Sequence, residues 1–184
     1  MIEKYLIEHC SPTLASLKTA SLFTMDFSDY NALEENIGYW NKCFSDKGVE
    51  LLVLKKSNGR ALIYVCRKKQ LQTDLDKPGV RQFLADCGYL KSDVDYALRI
   101  LKNRLECSQD GFPHEIGVFL GYPLQDVVGF IENAGQNCKC VGCWKVYCNE
   151  CEAVKLFGKY KKCKDVYIRL WRQGRSVRQL TLAV

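Results

Sequence analysis

Apolar residues follow strand spacing in the first third of the chain and helical spacing after it. Residues 49–54 and 60–66 are nearly continuous apolar runs, which is typical of buried strands. The Asn58-Gly59 pair between them is the strongest short signal for a hairpin turn. Residues 21–25 are expected to add a third strand, and residues 30–44 have helical spacing. This pattern predicts a small mixed or antiparallel sheet with helices on one face.

The pattern is helical after residue 69, apart from an edge strand predicted over residues 145–147. Glycine, proline and small polar residues bound the predicted helices, which cover residues 80–87, 92–107, 113–121, 123–135 and 150–173. At the N-terminus, residues 2–10 are expected to form one helix, and Ser11-Pro12 is expected to start a second.

The predicted fold class is therefore α+β, with the N-terminal sheet packed against a largely helical C-terminal half. The length of 184 residues fits a single domain over residues 1–184. A subdivision into a sheet-containing part (1–70) and a mainly helical part (71–184) is the alternative.

Composition indicates the compartment. No apolar run approaches the ~20 residues that cross a bilayer, and the first residues lack a signal-peptide pattern. A cytoplasmic protein that does not contact membranes is expected. The eleven cysteines are then interpreted as thiols, metal ligands or redox groups, and not as a disulfide framework.

Positive charge is concentrated at the C-terminal end, where residues 138–184 carry 11 basic and 3 acidic side chains. Such a segment can bind an acidic partner or nucleic acid, or be a solvated helix face. The residues that would carry an interaction are Arg169, Arg172, Arg175 and Arg178. Two observations argue against nucleic acid. The basic helix shows no aromatic stacking platform, and residues 123–129 contain an aspartate but no lysine or arginine.

The chain has only two histidines, and each lies in a compact polar motif. His9 precedes Cys10, and His114 precedes Glu115 at a predicted helix start. Histidine is the side chain that most readily acts as acid, base or ligand near neutral pH. The main hypothesis is one pocket formed by both motifs, which binds a metal ion (zinc or iron), haem or another redox-related ligand. His9, Cys10 and His114 would be the ligands, and Glu115 would orient His114.

The first alternative is a thiol enzyme. Cys10 would be the nucleophile, His114 its base and Glu115 the orienting group. A predicted helix start and the charge of Lys18 would favour the thiolate of Cys10. The competing interpretation is a buried thiol that packs as a small hydrophobic side chain.

A second group of thiols lies near the C-terminus, where short spacings resemble those of zinc and iron–sulfur sites. Its members are Cys138, Cys140, Cys143, Cys148, Cys151 and Cys163. The two C-x2-C pairs are only four residues apart, which is closer than usual zinc-finger spacing. A metal at this cluster is therefore the less favoured site.

Three ordered motifs resemble one family across almost the whole chain. The N-terminal motif (residues 9–18) begins His9-Cys10-Ser11-Pro12 and ends at Lys18. The central motif (residues 112–127) begins Phe112-Pro113-His114-Glu115. The C-terminal motif is Trp144-Lys145-Val146-Tyr147. Together they resemble domain-of-unknown-function family 3793, which is found mainly in clostridia and other anaerobes.

The resemblance implies which residues carry family motifs, and it adds Lys18, Lys145 and Tyr147 to the candidate binding residues. It also implies iron or redox physiology, an unidentified small ligand and a redox partner such as a flavodoxin. Cys138, Cys143, Cys148 and Cys151 are less regular in the family, which weakens a metal cluster as the shared function.

Overall fold

The computed structural model describes residues 2–107 and 111–183. In this part of the chain the helices are α1 (Ile2–Leu14), α2 (Tyr30–Cys43), α3 (Lys68–Leu75), α4 (Pro78–Asp86), α5 (Val94–Cys107), α6 (Ile116–Phe119), α7 (Leu124–Glu132), α8 (Glu150–Arg172) and α9 (Val177–Leu180). The strands are β1 (Ala20–Asp26), β2 (Glu50–Ser57), β3 (Arg60–Cys66), β4 (Cys140–Val141) and β5 (Lys145–Val146). The α+β class is confirmed.

The main sheet is antiparallel, with β3 between β1 and β2. The predicted hairpin is confirmed, because Asn58 and Gly59 connect β2 to β3. Both turn residues have positive φ, 50° and 71°, as a two-residue turn of this kind requires. The strand predicted over residues 21–25 is β1, which pairs along its whole length with β3, from Ala20 opposite Cys66 to Asp26 opposite Arg60.

Helices cover both faces of this sheet, so the expectation of helices on one face is wrong. Successive residues of a strand point to opposite faces. Ile63 and Val65 lie in a core cluster with residues of α1, α2 and α9. Tyr64 and Cys66 lie in a second cluster with residues of α3 to α7. Both clusters draw residues from either side of residue 70.

The N-terminal helix is longer than predicted, because α1 continues through Ser11 and Pro12 to Leu14. The Ser11 hydroxyl donates to the backbone oxygen of Ile7 within the helix instead of capping a new one. Pro12 lies inside the last turn of α1, where its missing N–H removes one backbone hydrogen bond of the helix.

A buried arginine connects the end of α1 to the C-terminal segment. The Arg67 side chain is 3% exposed and donates to four backbone oxygens. Nε bonds to Thr13 O (2.7 Å), Nη1 to Lys47 O (3.0 Å), and Nη2 to Leu14 O (2.7 Å) and Leu182 O (2.9 Å). The guanidinium thus satisfies carbonyls at the C-terminal end of α1 that the helix itself leaves unpaired.

The C-terminal half adds a small hairpin between two helices. β4 pairs with β5, which confirms the strand predicted at residue 145, and α7 and α8 flank the pair. α8 is one continuous helix of 23 residues, and the Asn149 side chain caps its start. In the ranges 2–107 and 111–183, no helix is long and apolar enough to cross a membrane.

Candidate functional site

The His9-Cys10 motif lies on α1, and its two side chains face different environments. Cys10 is fully buried in the core, and burial raises the pKa of its thiol. His9 is on the exposed side, where its ring stacks on Tyr5 (6.0 Å between centroids) and Phe23 (5.9 Å). Partial burial and the nearby Lys164 ammonium lower the pKa of His9. The imidazole is therefore part of an aromatic stack, and the thiol is part of the core.

The structure does not bring this motif to His114. Cys10 packs in the core cluster on one face of the sheet, whereas Ile116, two residues after His114, packs in the cluster on the other face. One pocket lined by His9, Cys10 and His114 stays a prediction, and the packing of Cys10 and Ile116 in different clusters does not support it.

Glu115 was expected to orient His114, but its carboxylate binds two other side chains. Its carboxylate is 4% exposed and accepts hydrogen bonds from Tyr89 Oη (3.0 Å) and Arg104 Nε (2.8 Å). Burial and the adjacent Glu115 carboxylate raise the pKa of Tyr89. Glu115 thus anchors the turn before α6 to α5, and His114 is not among its partners.

His114 lines a cavity of about 290 Å³ between the turn before α6, α7 and the β4–β5 hairpin. We call this space the aromatic cavity, because four aromatic rings line it. Its lining residues are Phe112, His114, Ile116, Gly117, Tyr122, Asp126, Val127, Phe130, Trp144 and Lys145. It joins the central and C-terminal motifs, and none of these lining residues comes from α1.

Asp126 attaches the hairpin to α7 at the wall of this cavity. Its carboxylate accepts hydrogen bonds from Trp144 Nε1 (2.7 Å) and from the backbone N–H groups of Tyr147 (2.7 Å) and Cys148 (2.9 Å). Burial alone would raise the pKa of Asp126, but these donors together lower it. The carboxylate therefore holds the Trp144 ring in place, and its charge is compensated within the protein.

Two of the predicted binding residues lie next to the hydrogen bonds of Asp126. Lys145 is on β5, and Tyr147 directly follows that strand. Lys145 lines the cavity, and its Nζ donates to Gly135 O (2.7 Å). Tyr147 packs so closely on α7 that a Cβ at Gly129 would lie 2.6 Å from Tyr147 Cβ. The buried Tyr147 hydroxyl has no hydrogen-bond partner among residues 2–107 and 111–183. Lys145 thus faces the cavity, and Tyr147 fixes the hairpin.

Lys18, at the end of the N-terminal motif, contacts the ring of Tyr122, which lines the cavity. Its Nζ lies 5.1 Å from the centroid of the Tyr122 ring, which stacks on Trp144 at 4.8 Å. Burial lowers the pKa of Lys18, an effect that the nearby Cys143 and Cys10 thiols oppose. All three motifs therefore meet at the stacked Tyr122 and Trp144 rings, although His9 and Cys10 do not reach them.

The cysteine cluster surrounds the β4–β5 hairpin, but the structure does not gather it into a metal site. Cys140 lies beside Glu150, and Cys148 lies beside Asp126; in both thiols, burial first and the carboxylate second raise the pKa. All eleven cysteines are free thiols. No group of three or more His, Cys, Asp or Glu side chains in the described ranges is placed to hold a metal ion.

The basic C-terminal segment is largely solvated. Arg169, Arg172 and Arg175 are exposed. Arg178 binds within the protein, with Nη2 donating to Asp46 Oδ2 (2.9 Å) and Nε to Cys43 O (3.0 Å). One of the four arginines named for an interaction thus has a structural role.

Sequence reasoning gave no binding role to four residues that line the cavity, although all but Phe130 lie in the three motifs: Tyr122, Asp126, Phe130 and Trp144. One signal was present for Asp126 and Phe130, because their spacing of four residues places both side chains on one side of a helix. The position of Trp144 depends on its bond to Asp126 across the hairpin, and no local pattern shows that bond.

The architecture defines an α+β protein with a three-stranded antiparallel sheet between helices and an aromatic cavity beside α7. The chain belongs to the family described as "Protein of unknown function (DUF3793)", which matches residues 6–181. No curated protein and no solved structure matches the chain.

Proposed function

We propose that the protein binds a small aromatic ligand in the aromatic cavity. The observation that carries the proposal is an open cavity whose walls present Phe112, Tyr122, Phe130 and Trp144 at the place where the three family motifs meet. Ligand sites are typically concave, mostly apolar and supplied with a few polar groups, and this cavity has that composition.

The volume limits the size of the ligand. About 290 Å³ is at the lower end of the range of ligand pockets, which is roughly 300–1,000 Å³. A compound of one or two fused rings suits this volume better than haem, which is much larger. Offset or edge-to-face contacts with the wall rings would hold such a compound in one orientation.

The other functions expected from the sequence have less support. A thiol nucleophile must reach its substrate, and Cys10 is fully buried. A shared metal site needs several ligands around one point, whereas His9 and His114 belong to separate environments. The ligand we propose therefore contacts side chains of the central and C-terminal motifs and not the His9-Cys10 motif.

We also propose a reducing, cytoplasmic location. Eleven free thiols in one chain support it, because exposed thiols persist where glutathione and thioredoxin keep them reduced. A redox partner such as a flavodoxin stays a prediction, since no contact in the structure bears on it.

The test uses the indole N–H of Trp144 as a reporter. The chain has three tryptophans, and a Trp144→Phe variant assigns the signal of Trp144 in a ¹⁵N-labelled sample. The neutral probe 2-naphthylmethanol is titrated to millimolar concentration. We expect the Trp144 signal to shift in a saturable way, while the signals of Trp40 and Trp171 stay in place.

A matched pair of variants locates the binding. Phe112 lines the cavity and is 52% exposed, whereas Leu90 is 82% exposed and lies outside it. Phe112→Ala should weaken probe binding about 3- to 10-fold through the lost ring contact, and Leu90→Ala should not change it. If the Trp144 signal does not move at millimolar probe, or if both variants act alike, the proposed function is wrong.

A further inference from the structure

Two polar side chains that line the aromatic cavity lie close to the same ring, that of Phe130. The His114 ring centroid lies 5.0 Å from that of Phe130, and Lys145 Nζ lies 5.8 Å from the same centroid. His114 comes from the turn before α6 and Lys145 from β5. The fold thus brings an imidazole and an ammonium together at Phe130 from segments about 30 residues apart.

Both groups have unused hydrogen-bonding capacity. Lys145 donates to Gly135 O, which leaves two of its three N–H groups. Within residues 2–107 and 111–183, no carboxylate lies within 4.0 Å of Lys145 Nζ, and the His114 imidazole makes no hydrogen bond. A lysine at a cavity wall without a carboxylate partner is a ready binding point for an anion.

The carboxylate in the cavity wall does not compensate this charge. Asp126 directs Oδ1 to the backbone of Tyr147 and Cys148, and Oδ2 to Trp144. The hydrogen-bond donors of the hairpin therefore compensate the negative charge of Asp126. Although Asp126 and Lys145 line the same cavity, Lys145 has no ion pair with a carboxylate among the described residues.

We infer that the ligand of the cavity is an aromatic carboxylate, whose ring lies among the aromatic walls and whose carboxylate binds Lys145 and His114. Two donors match the two oxygens of a carboxylate. A phosphate monoester has three free oxygens and up to two charges, and it calls for more donors than the cavity offers near Phe130. This inference rests on the proposed function and specifies the ligand of the same site.

The experiment compares probes of one ring system and different charge. 2-Naphthoate, 2-naphthyl phosphate and neutral 2-naphthylmethanol are titrated against the full chain with the Trp144 reporter. We expect 2-naphthoate to bind at least about 10-fold more tightly than the alcohol, as a charge-assisted hydrogen bond would give. The phosphate should bind no more tightly than the carboxylate.

Variants at Lys145 assign the preference to its charge. Lys145→Met should reduce the ratio of the two affinities to near one, because the ratio compares two probes on the same variant. Lys145→Arg should restore much of the ratio. Lys139→Met is the matched control, because Lys139 lies in the same segment and its Nζ also donates to a backbone oxygen, Cys148 O, outside the cavity. His114→Ala should reduce the ratio in part.

The possible outcomes separate the two proposals. If the alcohol binds and the naphthoate binds no better, or if Lys145→Met keeps the ratio, the carboxylate inference is wrong while the proposed function stands. If the phosphate binds more tightly than the naphthoate, the ligand is a phosphate ester and the inference is also wrong. If no probe moves the Trp144 signal, both proposals fail.

Discussion

His9-Cys10 and the aromatic cavity are the two regions richest in potential chemistry, and they differ in how accessible their groups are. Cys10 is enclosed by the core, and His9 stacks on neighbouring rings. At the cavity, Lys145 and His114 face open space and keep unused donors. The comparison shows that two groups adjacent in sequence face different surroundings, whereas groups far apart in sequence together line the cavity.

Helix geometry explains the closed region. Positions 6, 7, 10 and 14 share one side of an α-helix, and position 9 lies outside that side, so Cys10 is buried while His9 is exposed. Cys10 shares the buried side of α1 with Leu6, Ile7 and Leu14. In the open region, His114 lies in a turn and Lys145 in a two-residue strand, and neither segment has a wide apolar face to bury.

The largest expected effect is in the chemical reactivity of the thiols. Burial raises the pKa of Cys10, and it raises that of Cys66 to about 12, whereas Cys107 and Cys151 are exposed. We expect iodoacetamide at about pH 8 to label Cys10 and Cys66 at least about 1,000-fold more slowly than the exposed pair. Peptide mass spectrometry over a time course measures the rates.

A denatured sample is the control, and all eleven thiols should then react at similar rates. Fast labelling of Cys10 in the folded protein would mean that the His9-Cys10 region opens, and it would support the thiol-enzyme hypothesis.

The next effect concerns the stability of the open region. Asp126→Asn replaces a pure acceptor by a group with its own N–H donors, which face the donors of Trp144 or of the hairpin backbone. We expect the free energy of unfolding to fall by roughly 2–3 kcal/mol. Denaturant unfolding measures it, with Glu132→Gln on the exposed side of the same helix as the control. Equal stabilities of the two variants would contradict the anchoring role.

Acid should erase this difference. The pKa of Asp126 is lower in the folded state than its ordinary value, so its contribution to stability is complete above about pH 5. The contribution is lost as the pH falls through the lowered pKa. The stability gap between the natural protein and Asp126→Asn should therefore shrink between about pH 5 and pH 2. A gap that stays constant over this range would show that the charge of Asp126 is not responsible.

The smallest effect is expected at His9. His9→Gln removes a ring from an exposed stack, and we expect a loss of no more than about 1 kcal/mol in the free energy of unfolding. Binding of 2-naphthoate should stay within about twofold of the natural protein. A binding loss as large as that of Phe112→Ala would show that the two regions are coupled after all.

Local signals predicted much of the fold. The Asn58-Gly59 turn, the strands on either side of it and the helix from Tyr30 depend on contacts within a few residues, and all are confirmed. Coverage of the sheet on both faces was not predicted, because the apolar run in β3 is compatible with one covered face or two. The break predicted at Ser11-Pro12 is absent because Ser11 bonds back within α1.

The site was predictable only in part. The motifs indicated His114 and Lys145, and both line the cavity. The partnership of Asp126 with Trp144 spans 18 residues and depends on how the hairpin folds back on α7. Sequence spacing does not show a contact between residues that are distant along the chain. For the same reason, the sequence alone could not show that His9 and His114 have different aromatic neighbours.

The contacts of Arg67 also bear on how the protein is made. One guanidinium holds Thr13, near the beginning of the chain, and Leu182, near its end, and α8 and α9 pack on α1. A ribosome releases the N-terminal residues first. The sheet and α1 therefore emerge well before α8 and α9, and the part of α1 that these two helices cover stays exposed until they are synthesised. Chaperones that hold apolar surfaces would find their target in this interval, when the nascent chain has its strands but not yet its cover.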